Sequence, residues 1–248
     1  MMTETRCPVN VRRTDANSVA RIVECASLRN LDLFRHLSPV DLQRVAEFAS
    51  FHRVERRKPI ATPGPDADHL CLLTQGLAKA TRIDANGTET LLYLMKSGEL
   101  FGGHVWDART DMSVVAMQPC VTASIRVRDL ERIMGAPVLV AEIDRVRAMR
   151  LQQMEDRLTE MNTGRVAARA ARTVLRLCRE FPAQLACGTK VNVLFTQQDI
   201  ASMIGATREV TSSTLNDFRR AGWMGVHERY MCVHDAHGLH EKSLCKTA

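Results

Sequence analysis

The chain has 248 residues, 45% of them hydrophobic and 25% charged, and a net charge of +6 at pH 7. That balance excludes wholesale disorder, and the length suggests two domains at roughly 100–200 residues each. Nothing approaches the ~20 apolar residues of a membrane span, and the polar opening MMTETRCPVNVRRTDANS lacks the apolar core of a secretory signal, so the sequence reads as cytoplasmic with no membrane partner.

Residues 1–27 are polar and irregular and read as an extension. Residues 28–51 read as short helices, one of them opened by Ser38-Pro39-Val40-Asp41: a cap, a proline at the first helical position and an early acid. Val45, Phe48 and Ala49 form its expected inward face. From about Arg57 short apolar runs alternate with turn signals. Strands are expected at 69–74, 78–83, 88–95, 112–116 and 121–127, with another segment beginning at Leu100-Phe101-Gly102-Gly103. Asn86-Gly87, between two of these runs, is the strongest hairpin signal. The pattern implies a compact antiparallel β structure.

A long helix follows. Pro137 suits its first turn, and no proline or glycine interrupts residues 138–163. About 25 residues at 1.5 Å each span on the order of 37 Å, long for one small domain. Ile143, Val146, Leu151, Met154, Leu158 and Met161 are apolar, and the last four are spaced 3, 4 and 3 apart. That is a heptad step, so pairing with a second copy is expected, with Arg147, Arg150, Glu155 and Arg157 as charged flanks of the seam. Gly164 marks a break. An Ala/Arg-rich helix over 165–181 ends at Pro182, and loop and strand run to 193. Residues 164–248 hold 12 Lys and Arg against 7 Asp and Glu, so most of the positive excess lies in one region. That favours a nucleic-acid partner.

The segment TQQDIASMIGATREVTSSTL carries the most information. Thr196 with Asp199 is a capping-box-like start. Gly205 can take a sharp turn, and Thr207 caps a second helix. Two short helices joined by a three- or four-residue turn with glycine make a helix-turn-helix. Its second helix would enter the DNA major groove with its N-terminal residues at base edges. Arg208 can grip guanine O6 and N7, and Glu209 can accept from cytosine N4. Thr196, Gln197, Thr207, Ser212 and Ser213 complete the expected contact set. Residues 226–233 read as a small hairpin, a wing.

These residues resemble the CRP/FNR family of bacterial transcription regulators over about residues 28–235. Besides the helix-turn-helix with its Arg-Glu pair, PGPDADHLCLLTQGLAKATR resembles the family's first roll hairpin and KSGELFGG the approach to its ligand pocket. The resemblance implies an α+β chain: an extension (1–27), a cyclic-nucleotide-binding-like β-roll (28–136), a dimerisation helix (137–163) and a winged helix-turn-helix with a short tail (164–248). It further implies a homodimer, a two-fold-symmetric double-stranded site and RNA polymerase as a partner. An effector would sit near Phe101, Gly102, Gly103, His104, Arg109 and Thr110. Members that bind cyclic AMP carry a Gly-Glu pair and, further on, an Arg-Ser pair. Here Gly102-Gly103 and Thr110-Asp111 stand in those places. The ribose-binding Glu and the phosphate-clamping Arg are missing, and Asp111 would repel a phosphate. The expected effector is therefore not cyclic AMP. Ser213 also departs from the Arg of many members.

Other sensing chemistries leave few marks. The eight cysteines form no CxxC pair, and Cys7 and Cys25 stand alone at the N-terminus, unlike the clustered cysteines of iron–sulfur relatives. Cys71 and Cys120 read as core. His104 stands where a haem-based carbon monoxide sensor of the family has its axial His, so haem is the cofactor alternative. Cys232, His234, His237, His240 and Cys245 are zinc-type ligands without a recognisable spacing. There is no P-loop, GxSxG or HExxH, so no enzyme is expected. The rival reading is a ligand-binding module that acts through a protein partner.

Overall fold

The computed structural model describes residues 28–29, 31–61, 68–83, 87, 89–102, 112–162, 164–186 and 188–244. These cluster into two compact units, one formed by the chain up to Gly87 with Tyr93–Met149, the other by Thr88–Leu92 with the chain from Arg150 onward.

In the first unit a 3-10 turn, Asp32–Phe34, precedes helix α1, Pro39–Phe48. The Ser38 hydroxyl accepts from the Asp41 N–H at 3.1 Å, satisfying one otherwise orphaned donor. Leu42 and Val45 turn inward, but Phe48 is 50% exposed, not part of the expected inward face. Steps of three residues drift around a helix of 3.6 residues per turn, so Phe48 lies about 120° from Leu42.

Two four-stranded antiparallel sheets follow. One has the order β1 (Ser50–Val54), β8 (Cys120–Arg126), β3 (His69–Gln75), β6 (Leu100–Phe101). The other has the order β2 (Pro59–Ala61), β7 (Met112–Ala116), β4 (Leu77–Ile83), β5 (Glu89–Lys96), the last of which belongs to the second unit up to Leu92. Alternation along the strands decides which side is covered. Leu70 lies opposite Ile125 and Leu72 opposite Ala123 in one ladder. Ala78 lies opposite Ala116 and Ala80 opposite Val114 in the other. All eight are 1% exposed or less. Cys120 is in the core as expected, whereas Cys71 is only half-buried.

The expected strand over 121–127 stops at Arg126, and Val127 begins a helix absent from the sequence reading, α2 (Val127–Met134). Arg126 Nε donates to Asp129 Oδ2 at 2.7 Å across the junction, and Leu130 is fully buried. Helix α3, Ala136–Asn162, then runs for 27 residues.

The second unit holds the end of α3, helix α4 (Val166–Glu180), strands β9 (Pro182–Leu185) and β10 (Gly188–Val191), helices α5 (Gln197–Ile204) and α6 (Arg208–Arg220), strands β11 (Met224–His227) and β12 (Tyr230–Val233), and helix α7 (Ala236–Leu244). Its sheet has the order β11-β12-β10-β9. The C-terminal stretch, expected to be a tail, forms α7 instead. Asp235 accepts from the N–H groups of His237 and Gly238 at 2.9 and 3.0 Å. Leu239 is fully buried, and Arg172 of α4 donates to Ser243 O at 3.1 Å. The cap and the docking face together hold a helix that glycine would otherwise weaken.

The buried thiols are chemically quiet. Burial, reinforced by neighbouring Cys232, pushes Cys178 from 9.0 up to about 11. Burial also raises Cys120, with the carbonyls of Leu77 and Gln118 accepting from its thiol. The fold thus favours the neutral thiol. This contribution of Cys178 to stability is complete below pH 9 and is lost as the pH rises towards about 11. At pH 8 iodoacetamide is expected to leave both thiols unmodified in the native protein and to alkylate both in urea, read by peptide mass spectrometry. Native labelling of either would refute their quiet burial.

Candidate nucleic-acid interface

The local rules that start α5 are satisfied in full. The Thr196 hydroxyl accepts from the Asp199 N–H at 3.0 Å. Asp199 Oδ2 accepts from the Thr196 N–H at 2.8 Å and from its hydroxyl at 2.7 Å. This reciprocal capping box is sealed, because Asp199 is only 4% exposed. Gly205 ends the helix in the left-handed region, at φ 61° and ψ 49°. Met161 of α3 packs against it, and a Cβ there would come within 2.8 Å of Met161 Cε and 3.1 Å of its Cγ. Gly205→Ala is therefore expected to cost about 1–2 kcal/mol from the backbone conformation alone. A fall in the thermal unfolding midpoint measures it, and an unchanged midpoint would contradict it.

The turn is held from α4 as well. Arg169 Nε donates to Ile204 O at 2.7 Å, Nη1 to Gly164 O at 2.9 Å and Nη2 to Gly205 O at 3.4 Å. A single guanidinium thus covers carbonyls at the end of α5 that no helical N–H can reach. Sequence reasoning missed this residue, because nothing local ties Arg169 to residues 204–205.

Thr207 caps α6 by accepting from the Val210 N–H at 3.3 Å. The helix is two-sided. Thr211, Thr214, Leu215 and Phe218 face inward, and the hydroxyls of Thr211 and Thr214 donate to Thr207 O and Val210 O, each at 2.8 Å. Those bonds satisfy both hydroxyls on the inward side of the helix. Arg208, Glu209 and Ser213 are exposed and Ser212 is half-buried. The Glu209 carboxyl is held below the usual range by its own backbone N–H and the Thr207 hydroxyl, with Arg208 adding to the effect. It is therefore an obligate acceptor at neutral pH, beside an obligate donor. Of the remaining expected contacts, Thr196 and Thr207 are exposed and Gln197 is half-buried.

After α6, β11 and β12 form the wing, with His227 opposite Tyr230. Glu228 and Arg229 turn it with φ of 49° and 74°, so both side chains sit at an exposed two-residue tip. Sequence reasoning placed the wing but did not single out Arg229.

The six residues expected to form a dimer seam divide into groups. Ile143 and Val146 are 7% and 8% exposed, already covered by their own chain. Leu151, Met154 and Leu158 are 61%, 37% and 60% exposed. Met161 is half-buried against Gly205. Two of the charged flanks also differ from expectation: Arg150 is buried, and Arg157 is half-buried and bonded to backbone carbonyls. Of the effector-pocket residues, Phe101 is buried and Gly102 half-buried, while Gly103, His104, Arg109 and Thr110 lie outside the described residues. The haem alternative at His104 lies there too. Among the described residues, no three metal-ligating side chains gather around one point. Cys232 is buried while His234, His237 and His240 are exposed, and Cys245 is outside the described residues. No helix among the described residues is long and apolar enough to cross a membrane.

Two family models match the chain, a cyclic nucleotide-binding domain over residues 51–136 and a Crp-like helix-turn-helix domain over residues 168–242. A CRP-like cAMP-activated global transcriptional regulator of Mycobacterium tuberculosis is 27% identical over 210 residues, covering 84% of this chain and 88% of the relative. A global nitrogen regulator of Nostoc is 26% identical over 185 residues, covering 73% of this chain and 83% of the relative. Among solved structures, a CRP-family transcriptional regulator from Thermus thermophilus superposes with a TM-score of 0.67 at 23% identity. It covers 79% of this chain and 98% of its own, and shows the same fold.

Proposed function

The chain belongs to the CRP/FNR family of DNA-binding transcription regulators and is not an enzyme, and on that premise we propose that it acts as a homodimer on a two-fold-symmetric duplex. The observation that carries this reading is the N-terminus of α6. It presents Arg208 and Glu209 to solvent from a helix whose opposite side is locked into the core. Each subunit offers a bidentate donor for guanine and an acceptor for cytosine N4. Ser212 and Ser213 lie one turn on, Thr196, Gln197 and Thr207 line the helix starts, and Arg229 gives the wing a phosphate contact. Leu151, Met154 and Leu158 form the uncovered seam that pairs two copies of α3.

The β domain receives an effector other than cyclic AMP. Supporting this, Gly102-Gly103 and Thr110-Asp111 occupy the places where cyclic AMP-binding members carry Gly-Glu and Arg-Ser. Effector binding redirects the two recognition helices, and the DNA-bound dimer acts on RNA polymerase.

The test is selection from a pool of random 30-base-pair duplexes, followed by affinity measurement across a salt series. An enriched inverted repeat is expected, with affinity falling steeply as salt rises through counterion release. Absence of any retention at low salt would favour the rival module that acts through a protein partner.

A further inference from the structure

Arg157 lies in the last two turns of α3 and was expected as a charged flank of the seam. It is instead half-buried within the second unit. Its Nη1 donates to Leu91 O at 2.6 Å and to Leu92 O, and its Nη2 donates to Ser202 O. All three acceptors are backbone carbonyls, and Nε is buried with no hydrogen-bond partner among the described residues. Burial, with Arg176 nearby, disfavours the charged form; Glu160 acts the other way.

The acceptors come from two places where the backbone needs a partner. β5 is last in its sheet order, so whichever of the consecutive Leu91 and Leu92 carbonyls faces away from β4 has no neighbouring strand. Ser202 belongs to the last turn of α5, whose carbonyls have no intrahelical donor. One planar fork satisfies both. Water can satisfy both equally well, and an arginine left with carbonyls as its only acceptors regains hydration on release. The contact can therefore open without stranding a polar group. β5 continues from Leu92 through Tyr93 to Lys96 in the other unit. A displacement of that strand pulls directly on the carbonyls Arg157 holds.

What the contact withholds gives its direction. Met161 continues the heptad spacing of Leu151, Met154 and Leu158, yet its side chain is packed on Gly205 of its own motif. With Arg157 closed, the last seam position is occupied within the subunit. We propose that Arg157 is a latch: it holds the tip of β5, the end of α5 and the last turn of α3 together in one subunit, and its opening frees Met161 to extend the pairing seam, which fixes the spacing of the two exposed recognition helices for DNA. This rests on the dimeric DNA-binding reading above.

The test compares full-length wild type, Arg157→Ala and Arg157→Lys, without added effector. Hydrogen exchange is read by mass spectrometry, the dimer constant by sedimentation equilibrium, and affinity on the duplex selected by the wild type. Arg157→Ala is expected to speed exchange at residues 89–92 and 198–205 together while residues 112–126 stay unchanged. It should tighten the dimer and the duplex complex about tenfold each. Arg157→Lys keeps the charge but not the fork, so it should fall between the two; should the alanine variant not fold, the lysine variant decides by the same readings. Unchanged exchange at either segment, or loosened exchange without tighter dimer or duplex binding, overturns the latch. If neither the wild type nor Arg157→Ala retains any duplex, the DNA-binding reading fails, and exchange with the dimer constant still decides the latch. A monomeric wild type removes the seam and overturns it.

Discussion

Replacing Leu151 and Leu158 together with glutamate is expected to yield a monomer and to lower affinity for the two-fold duplex by about 10²–10⁴. Both side chains are more than half exposed in the single chain, at 61% and 60%. Substituting them therefore opens no cavity, and the unfolding curve of the monomer should barely move. In a paired helix the same positions face each other across the seam, where four buried like charges cannot be accommodated. Losing the pair makes the second half-site contact bimolecular again, which removes the effective-concentration gain of bivalency. Sedimentation and duplex binding read the two effects separately. A persistent dimer would place the interface elsewhere.

Arg208→Ala is expected to cost about 1–3 kcal/mol in duplex affinity and to relax base preference at one position of each half-site. The half-sites themselves should remain about 34 Å apart, because dimer geometry sets their spacing. Arg208 is exposed and starts α6. Its loss should therefore leave the core contacts of Thr211, Leu215 and Phe218 unchanged. Binding measured on a panel of duplexes varied one base pair at a time is the check. Equal weakening on every duplex would make Arg208 a phosphate contact rather than a base reader. The two variants are complementary: one removes a half-site from the encounter, the other leaves both in place and blurs what is read.

Much of the helix-turn-helix was legible because its signals are short-range. Thr196 and Asp199 are three residues apart, Gly205 supplies its own backbone freedom, and Thr207 caps a helix that begins at the next residue. Alternation and Asn-Gly similarly announced the β domain. The candidate site was legible to the same depth: the exposed start of α6 follows from its cap and apolar face. Gly103, His104, Arg109 and Thr110, expected on the effector side, lie outside the described residues.

The misses share another cause. Val127 looks like the end of a strand until Arg126 turns to Asp129. Residues 236–244 look like a tail until Leu239 finds a buried place and Arg172 reaches Ser243. By itself the sequence determined the family, the two helices of the helix-turn-helix, their caps and the residues at the tip of α6, because these signals lie within a few positions of one another. Only the tertiary structure decided that Ile143 and Val146 are covered, that Met161 rests on Gly205, and that Arg157 bonds to carbonyls 45 to 66 residues away in the chain. Such contacts depend on which groups lose water together when distant segments meet, and periodicity along one helix cannot say which neighbour will cover its surface.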